Sequence, residues 1–469
     1  MVFLTTEDIK MCFSIFCCVC GVGSLGLAGN YASAGYAWAT VAFVFMAVAN
    51  TYATWCISKV LLAAPKSVFT FGDLGEWCMG RIGRYVTTIS QVLLCTLLPI
   101  VFLVLGSSLL VVLFPDSFGQ ATWIVLMAIT LLPVCLVPTM KEGAGMAAAG
   151  CLGTLFADGI ALAVLISNMK DQNPQSISPP QPDIDFKSVC TVFGNLALAY
   201  GACIIIPTLQ HEHTQPERMP RLILVSQVLI SVFFFLVSIL GVFSTGCQTP
   251  GNLLFSIAGT GLGFKANRGF VILSFLFMQL HVTIAFSVIF FPVFQILERL
   301  VLGLHKDLVA APEVDIETPG IENVQGAYHD EKKLELEIEP VDAYKAPGAY
   351  TKAATLRTLM IAVCVVVAVL WKDHLGSLMD FVGASTSSLV NMILPVLFYL
   401  KTFWPTLGAP EKAFGIICIA ISCFLGVYVS IQTGKELFTP EAADPSILFP
   451  KCPAAYQKVV FTNTTFYKY

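Results

Sequence analysis

The chain has 469 residues, of which 56% are hydrophobic and only 12% charged, whereas a soluble globular domain carries about 25% charged residues. That leaves too little polar surface for a water-soluble protein of this length, and the apolar residues come in runs of roughly 20, the length that crosses a bilayer core. A formal charge of −4 with no basic face gives no footing for a nucleic-acid partner, so the expectation is an all-α integral membrane protein seated in a lipid bilayer.

About eleven transmembrane spans are predicted. The first covers Ile9 to Ala28. It is full length and lacks a positively charged leader and a clear small-residue cleavage site, so it reads as a span and not as a signal peptide. Within and just after it lies VCGVGSLGLAGNYASAG, Val19 to Gly35, which clusters Gly21, Gly23, Gly26 and Gly29. Glycine weakens an ordinary helix. Two readings stay open: close helix packing through small residues, or a discontinuous helix that exposes backbone groups to a ligand or ion.

Span 2 is Trp38 to Leu62, followed by a polar stretch with room for an interfacial helix over Asp73 to Met79. Span 3 is Tyr85 to Phe114, with Pro99 as an expected kink. Span 4 is Thr122 to Val137, and span 5 is Met146 to Asn168 with Asp158 at its middle. A Pro/Gln/Ser-rich loop leads to span 6, Ser188 to Leu209, a second candidate for interruption at Tyr200, Gly201 and Pro207. Span 7 is Leu222 to Thr245 and span 8 is Gly269 to Leu300. The segment 305–352 is acidic and proline-bearing and reads as a polar, partly disordered cytoplasmic linker. Spans 9, 10 and 11 are Ala353 to Leu370, Leu378 to Tyr399 and Lys412 to Gln432. The organisation is therefore spans 1–8 in residues 1–304, the linker, spans 9–11 in 353–432, and a polar tail over 433–469.

Lysines and arginines concentrate in the loops on the N-terminal side, Lys59, Lys66, Arg81, Arg84, Lys141, Arg218, Arg221, Lys332 and Lys333 among them. This predicts a cytoplasmic N-terminus and an external or lumenal C-terminus. Cys190 and Cys247 then fall on the external side and are candidates for a disulfide, and Asn463-Thr464-Thr465 is a glycosylation sequon there. The other cysteines lie mostly in apolar runs and read as small buried hydrophobes. No zinc pattern, hydrolase motif or nucleotide-binding loop is present, so neither a metal, a cofactor, an enzyme nor an ATP-driven pump is expected.

Four stretches carry a resemblance. They are Gly21-Val22-Gly23-Ser24-Leu25-Gly26-Leu27 with Ala34-Gly35-Tyr36; Phe71-Gly72-Asp73-Leu74-Gly75-Glu76 with Gly80, Gly83 and Arg84; Ile205-Ile206-Pro207-Thr208-Leu209-Gln210 with Met219-Pro220; and Val382-Gly383-Ala384 with Ile393-Leu394-Pro395-Val396-Leu397-Phe398-Tyr399-Leu400-Lys401. The chain resembles the amino acid/auxin permease family over most of its length. The resemblance implies a LeuT-like 5+5 inverted repeat with spans 1 and 6 discontinuous and span 11 added. It also implies alternating access to an amino acid held between spans 1, 3, 6 and 8, with cotransport of H⁺ or Na⁺. Gly21, Val22, Gly23 and Ser24 would receive the substrate carboxylate, and Tyr200 and Gly201 would line the second break. Many relatives have a histidine after that glycine, where this chain has Ala202. Thr283 matches a hydroxyl used for the ion in sodium-coupled relatives, or bonds back to its own helix. The polar span 1 residue those relatives use for sodium is replaced by small apolar residues here, which favours H⁺.

Physics alone singles out three further features. Asp158 is an intramembrane carboxylate, costly unless it faces a cavity or a partner. His281 is a mid-span imidazole suited either to proton transfer or to hydrogen-bonded packing. Asp73, Glu76, Arg81 and Arg84 are expected to form a cytoplasmic gate or a structural ion-pair network. The favoured function is H⁺-coupled symport of neutral amino acids by a monomer in the plasma membrane or a vacuolar or lysosomal membrane. A Na⁺-coupled symporter, an auxin-like organic acid permease, and an amino acid sensor signalling through 305–352 stand as alternatives.

Overall fold

The computed structural model describes residues 4–137, 143–304, 344, 346–439, 444 and 446–467. Most of the expected linker, 305–343 and 345, lies outside the described residues, as do Pro138 and Lys141. Among the described residues, eight helices are long and apolar enough to cross a membrane, and two shorter apolar helices accompany them.

Helix α1, Thr6–Val19, starts where Thr5 and Asp8 cap each other's backbone N–H groups, satisfying donors that a helix start leaves unpaired. It ends at Cys20 and Gly21, both in extended conformation, and the chain resumes as a 3-10 turn over Val22–Gly26. Helix α2, Leu27–Ala63, bends sharply at Gly35. The φ there is +69°, which a β-carbon disfavours, and an added β-carbon would also meet Ile184 at 2.9 Å. Helix α3, Phe71–Leu113, bends in the same way at Gly80, φ +70°. Its first segment, before Gly80, includes the short helix expected from Asp73 to Met79, and Pro99, where a kink is expected, is carried with helical torsions.

Helices α4 (Gln120–Cys135) and α5 (Gly143–Gln172) follow. Helix α6, Phe186–Ala199, stops at Tyr200, and helix α7, Ile206–Glu212, restarts the path after a turn. Helices α8 (Met219–Phe243), α9 (Arg268–Leu297) and α10 (Ala349–Leu370) are continuous. The next stretch is composite: α11, Leu375–Val382, widens into two π-helical turns, Gly383–Ser387 and Leu389–Ile393, before α12, Leu394–Phe403. Helix α13, Ala409–Phe438, closes the bundle.

The two interrupted paths lie at the centre. α2 packs on α6 and α8, α1 on α5 and α8, α9 on α3 and α5, and the π-helical turns on α6 and α13. The face where the chain enters α1 is called here the N-terminal face, and the opposite one the tail face. Arg357 anchors the N-terminal face. It is fully buried, pairs with Glu298 at 2.6 Å and donates to the carbonyls of Cys135 and Val137 and to the Tyr344 hydroxyl. A buried guanidinium requires such full satisfaction.

The tail face corrects one expectation. Cys247 is disulfide-bonded to Cys452, not to Cys190, which is a buried free thiol. The sequence does not point to this partner because Cys452 sits in a tail that reads only as polar, whereas the tail folds back onto the loop that contains Cys247.

Candidate functional site

The break after α1 is pressed between neighbours that tolerate no side chain. An added β-carbon at Gly23 would lie 2.6 Å from the Ala199 backbone, and one at Gly26 would meet the Asn195 amide at 2.3 Å. The end of α6 therefore abuts the break in the first path, so both interruptions share one layer of the bundle. Asn195 bridges them: its Nδ2 donates to the Gly23 carbonyl at 3.5 Å, and its Oδ1 accepts from Asn30 at 3.0 Å.

Three residues singled out separately in the sequence converge here. Ser24 Oγ lies 2.6 Å from Asp158 Oδ2 and 3.0 Å from the Gly21 carbonyl. Both side chains are completely buried, and Asp158 Oδ1 has no hydrogen-bond partner. His281 comes from the opposite side. Its Nδ1 is 3.1 Å from the Gly150 carbonyl. A carbonyl only accepts, so Nδ1 carries a proton, and whenever the ring is neutral Nε2 is the acceptor. Nε2 points at Gly21, 2.9 Å from where a β-carbon would stand. A carboxylate with one open oxygen, a hydroxyl and an imidazole acceptor thus surround the extended Gly21 and the 3-10 turn that follows it.

The break after α6 is held differently. Asn391, on the second π-helical turn, accepts from the Cys203 N–H at 3.0 Å and donates to Ser387 Oγ at 2.9 Å. Ser387 in turn donates to the Ala197 carbonyl at 2.6 Å. The widened stretch before α12 thus supplies the missing partners on both sides of the interruption, a use for which π-bulges are suited. Gly201 lies against Asn391. Tyr200 is fully buried, donates its hydroxyl to Ser231 on α8 at 2.9 Å, and packs its ring against Phe43 and Phe234.

The remaining candidates lie elsewhere. Thr283 donates to the Gln279 carbonyl of its own helix at 2.8 Å. Arg84 pairs with Glu76 and lies 3.6 Å from Asp73, which also caps the start of α3. Arg81 is exposed on the same segment, so this network is local to one helix start. Asn463 accepts from the Thr465 N–H at 3.1 Å within a turn of the tail.

A second charged cluster on the N-terminal face joins the two interrupted paths. Asp8 at the start of α1 accepts from Arg218 and lies 3.0 Å from His213 Nε2, beyond the end of α7. Glu7 accepts from the Thr214 N–H at 2.8 Å. Some 205 residues separate Asp8 from His213, so no local pattern in the sequence pairs them.

Comparisons with known proteins bear on the family and the fold. A family model described as "Transmembrane amino acid transporter protein" matches residues 6–434. Amino acid transporter AVT1I of Arabidopsis thaliana is 21% identical over 447 residues, covering 91% of this chain and 95% of that protein. Amino acid transporter ANT1 of the same plant is 20% identical, covering 91% and 92%. Among solved structures, that of MhsT in complex with L-phenylalanine matches with a TM-score of 0.52 at 12% identity, covering 92% of this chain and 98% of the other. At that identity the likeness establishes a shared fold.

Proposed function

The chain belongs to the transmembrane amino acid transporter family, and from that premise we propose that its secondary active transport of amino acids is H⁺-coupled symport of neutral amino acids by alternating access. The reading takes the helices as eleven spans, with the α1 and α6–α7 paths as discontinuous spans 1 and 6 of a 5+5 inverted repeat. It puts the N-terminal face in the cytoplasm and the tail outside or in a lumen, in a plasma, vacuolar or lysosomal membrane.

One observation carries the coupling: the buried Asp158 carboxylate bonded to Ser24 at the break. Ser24 has a single hydroxyl proton and two acceptors in reach, Asp158 Oδ2 and the Gly21 carbonyl. With Asp158 ionised, that proton turns to the carboxylate. With Asp158 protonated, the acid donates to Ser24 Oγ and the Ser24 proton turns to Gly21. One added proton thus changes which partner the break holds, and the charge that is costly in an apolar bundle disappears with it. The backbone of Gly21, Val22, Gly23 and Ser24 would receive the substrate carboxylate, Tyr200 and Gly201 would shape the facing wall, and His281 Nε2 would accept a proton or a substrate donor at Gly21. The small apolar residues of span 1 speak against a sodium site.

The test is uptake of radiolabelled neutral amino acids into proteoliposomes holding the purified chain. Accumulation under an inward H⁺ gradient, abolished by a proton ionophore, is expected. Accumulation that follows an inward Na⁺ gradient instead would overturn the coupling assignment, and binding without flux would turn the reading to a sensor.

A further inference from the structure

The tail is built into the tail face by three separate devices. Cys452 is bonded to Cys247. Next to Cys247, Gln248 is buried and spends its whole amide on the tail: Nε2 donates to the carbonyls of Tyr456 and Val459 at 2.9 and 3.0 Å, and Oε1 accepts from the Phe461 N–H at 3.0 Å. The Phe461 side chain is itself completely buried. These contacts fix the tail that follows the disulfide onto the loop. Lys451 reaches past the loop and donates to the Gly29 carbonyl at 3.1 Å. Gly29 stands three residues beyond the 3-10 turn of the first break, and an added β-carbon there would meet Gly251 of the loop and Lys451 Nζ at 3.0–3.1 Å. The Asp380 carboxylate of α11 lies close enough to act on the ammonium. One cation thus touches the first interrupted path and faces the helix that leads into the π-helical turns bracing the second. Beside it a cavity of about 300 Å³, lined by Gln248, Ser256, Leu448 and Lys451 among others, separates loop from tail.

We propose that Lys451 is a positioning residue for transport: the tail, tethered by Cys247–Cys452, carries it as a latch that holds the first interrupted path closed on the tail face. The inference rests on the alternating-access reading above. Opening on this face moves the segment after the break away from the loop and breaks the Lys451–Gly29 hydrogen bond, so the latch sets how often that face opens.

The experiment is hydrogen exchange on the purified full chain, read over residues 27–34 and 246–262 and, as a control, over 210–221 on the opposite face. It compares the wild type, Lys451→Met, Lys451→Arg, and the wild type under a reductant. Lys451→Met should speed exchange over 27–34 by about threefold or more, local opening being what exchange reports, and leave 210–221 unchanged. Lys451→Arg should restore the wild-type rate, and reduction should release 246–262 as well. Equal exchange over 27–34 in Lys451→Met and the wild type overturns the latch, as does a uniform rise that includes 210–221. If Lys451→Met does not fold, Lys451→Ala makes the same comparison. The readout needs no substrate, so absence of amino acid flux with altered exchange would defeat the transport reading and leave the latch standing.

Discussion

The two interruptions at the centre of the bundle are built from different chemistry. The break after α1 is flanked by groups that gain and lose protons, Asp158 through Ser24 and His281 against Gly21, with Lys451 one turn further on. The break after α6 is held by neutral groups, Asn391, Ser387 and the Cys203 backbone. Amide and hydroxyl hydrogen bonds keep their donors and acceptors at every physiological pH, whereas a carboxylate exchanges acceptor for donor when it is protonated. The first interruption is therefore the one whose bonded groups include a carboxylate that can take up a proton, and the second is held by groups that cannot.

The largest expected effect comes from removing that contrast. Asp158→Asn keeps the shape and a hydrogen-bonding group for Ser24 but ends protonation. Accumulation driven by an H⁺ gradient should fall about tenfold or more, the size of a coupling free energy of about 1.4 kcal/mol. Counterflow exchange of substrate, which needs no net proton movement, should persist. Loss of both activities in equal measure would make Asp158 a structural partner only.

The second break predicts the opposite pattern. Asn391→Leu leaves the buried Cys203 N–H without its acceptor, which costs about 1–3 kcal/mol. Thermal unfolding should register that loss and the uptake rate should drop, while the dependence of uptake on pH keeps its shape. A shifted pH profile in Asn391→Leu would erase the distinction between the breaks.

How much of this was legible in the sequence follows the same divide. Glycine spacing marks the first break, the family resemblance points to Ser24, and an acid and an imidazole in apolar runs each stand out as costly. Their meeting at Gly21 does not, because Ser24 and Asp158 are 134 residues apart. The glycines Gly21 and Gly23 are explained by what lies against them, His281 and the end of α6, as much as by unwinding. At the second break Tyr200 and Gly201 were readable, but Asn391 and Ser387 were not. They lie in a run whose hydropathy suits an ordinary span, and the π-helical widening that turns them inward leaves no periodic trace. Nothing in the sequence points to Cys452 or Lys451, because a polar tail offers no pattern that says where it docks.

Lys451 extends the comparison to a base outside the apolar segments, with a smaller expected effect. Burial pushes its ammonium down to about 8, against the pull of Asp380, which would raise it. Asp380 is the facing carboxylate, and behind it Glu436 of α13 is paired with Lys187. The docked tail therefore binds the lysine's proton less tightly than the free tail does, and docking strengthens as pH rises from about 8 towards the free-lysine range near 10.4. The melting temperature of the wild type relative to Lys451→Met should rise between pH 7.5 and 9.5, and a difference that falls or stays constant would place the ammonium in open water.

The smallest effect is expected at Thr283, and it decides most about the coupling ion. Thr283 gives its proton to the Gln279 carbonyl one turn back, which leaves its lone pairs open, but it sits outside the cluster around Gly21. Such a back-bonded hydroxyl adds little to a helix, so Thr283→Val should change stability by about 0.5 kcal/mol or less and leave uptake under an H⁺ gradient at its wild-type value. A sodium site built on this hydroxyl would behave otherwise, because removing one oxygen from a hard-cation site weakens binding of the ion itself. A loss of uptake in Thr283→Val that high sodium restores would move the coupling away from Asp158. It would also remove the reason for regarding the first interruption as the one that responds to protons.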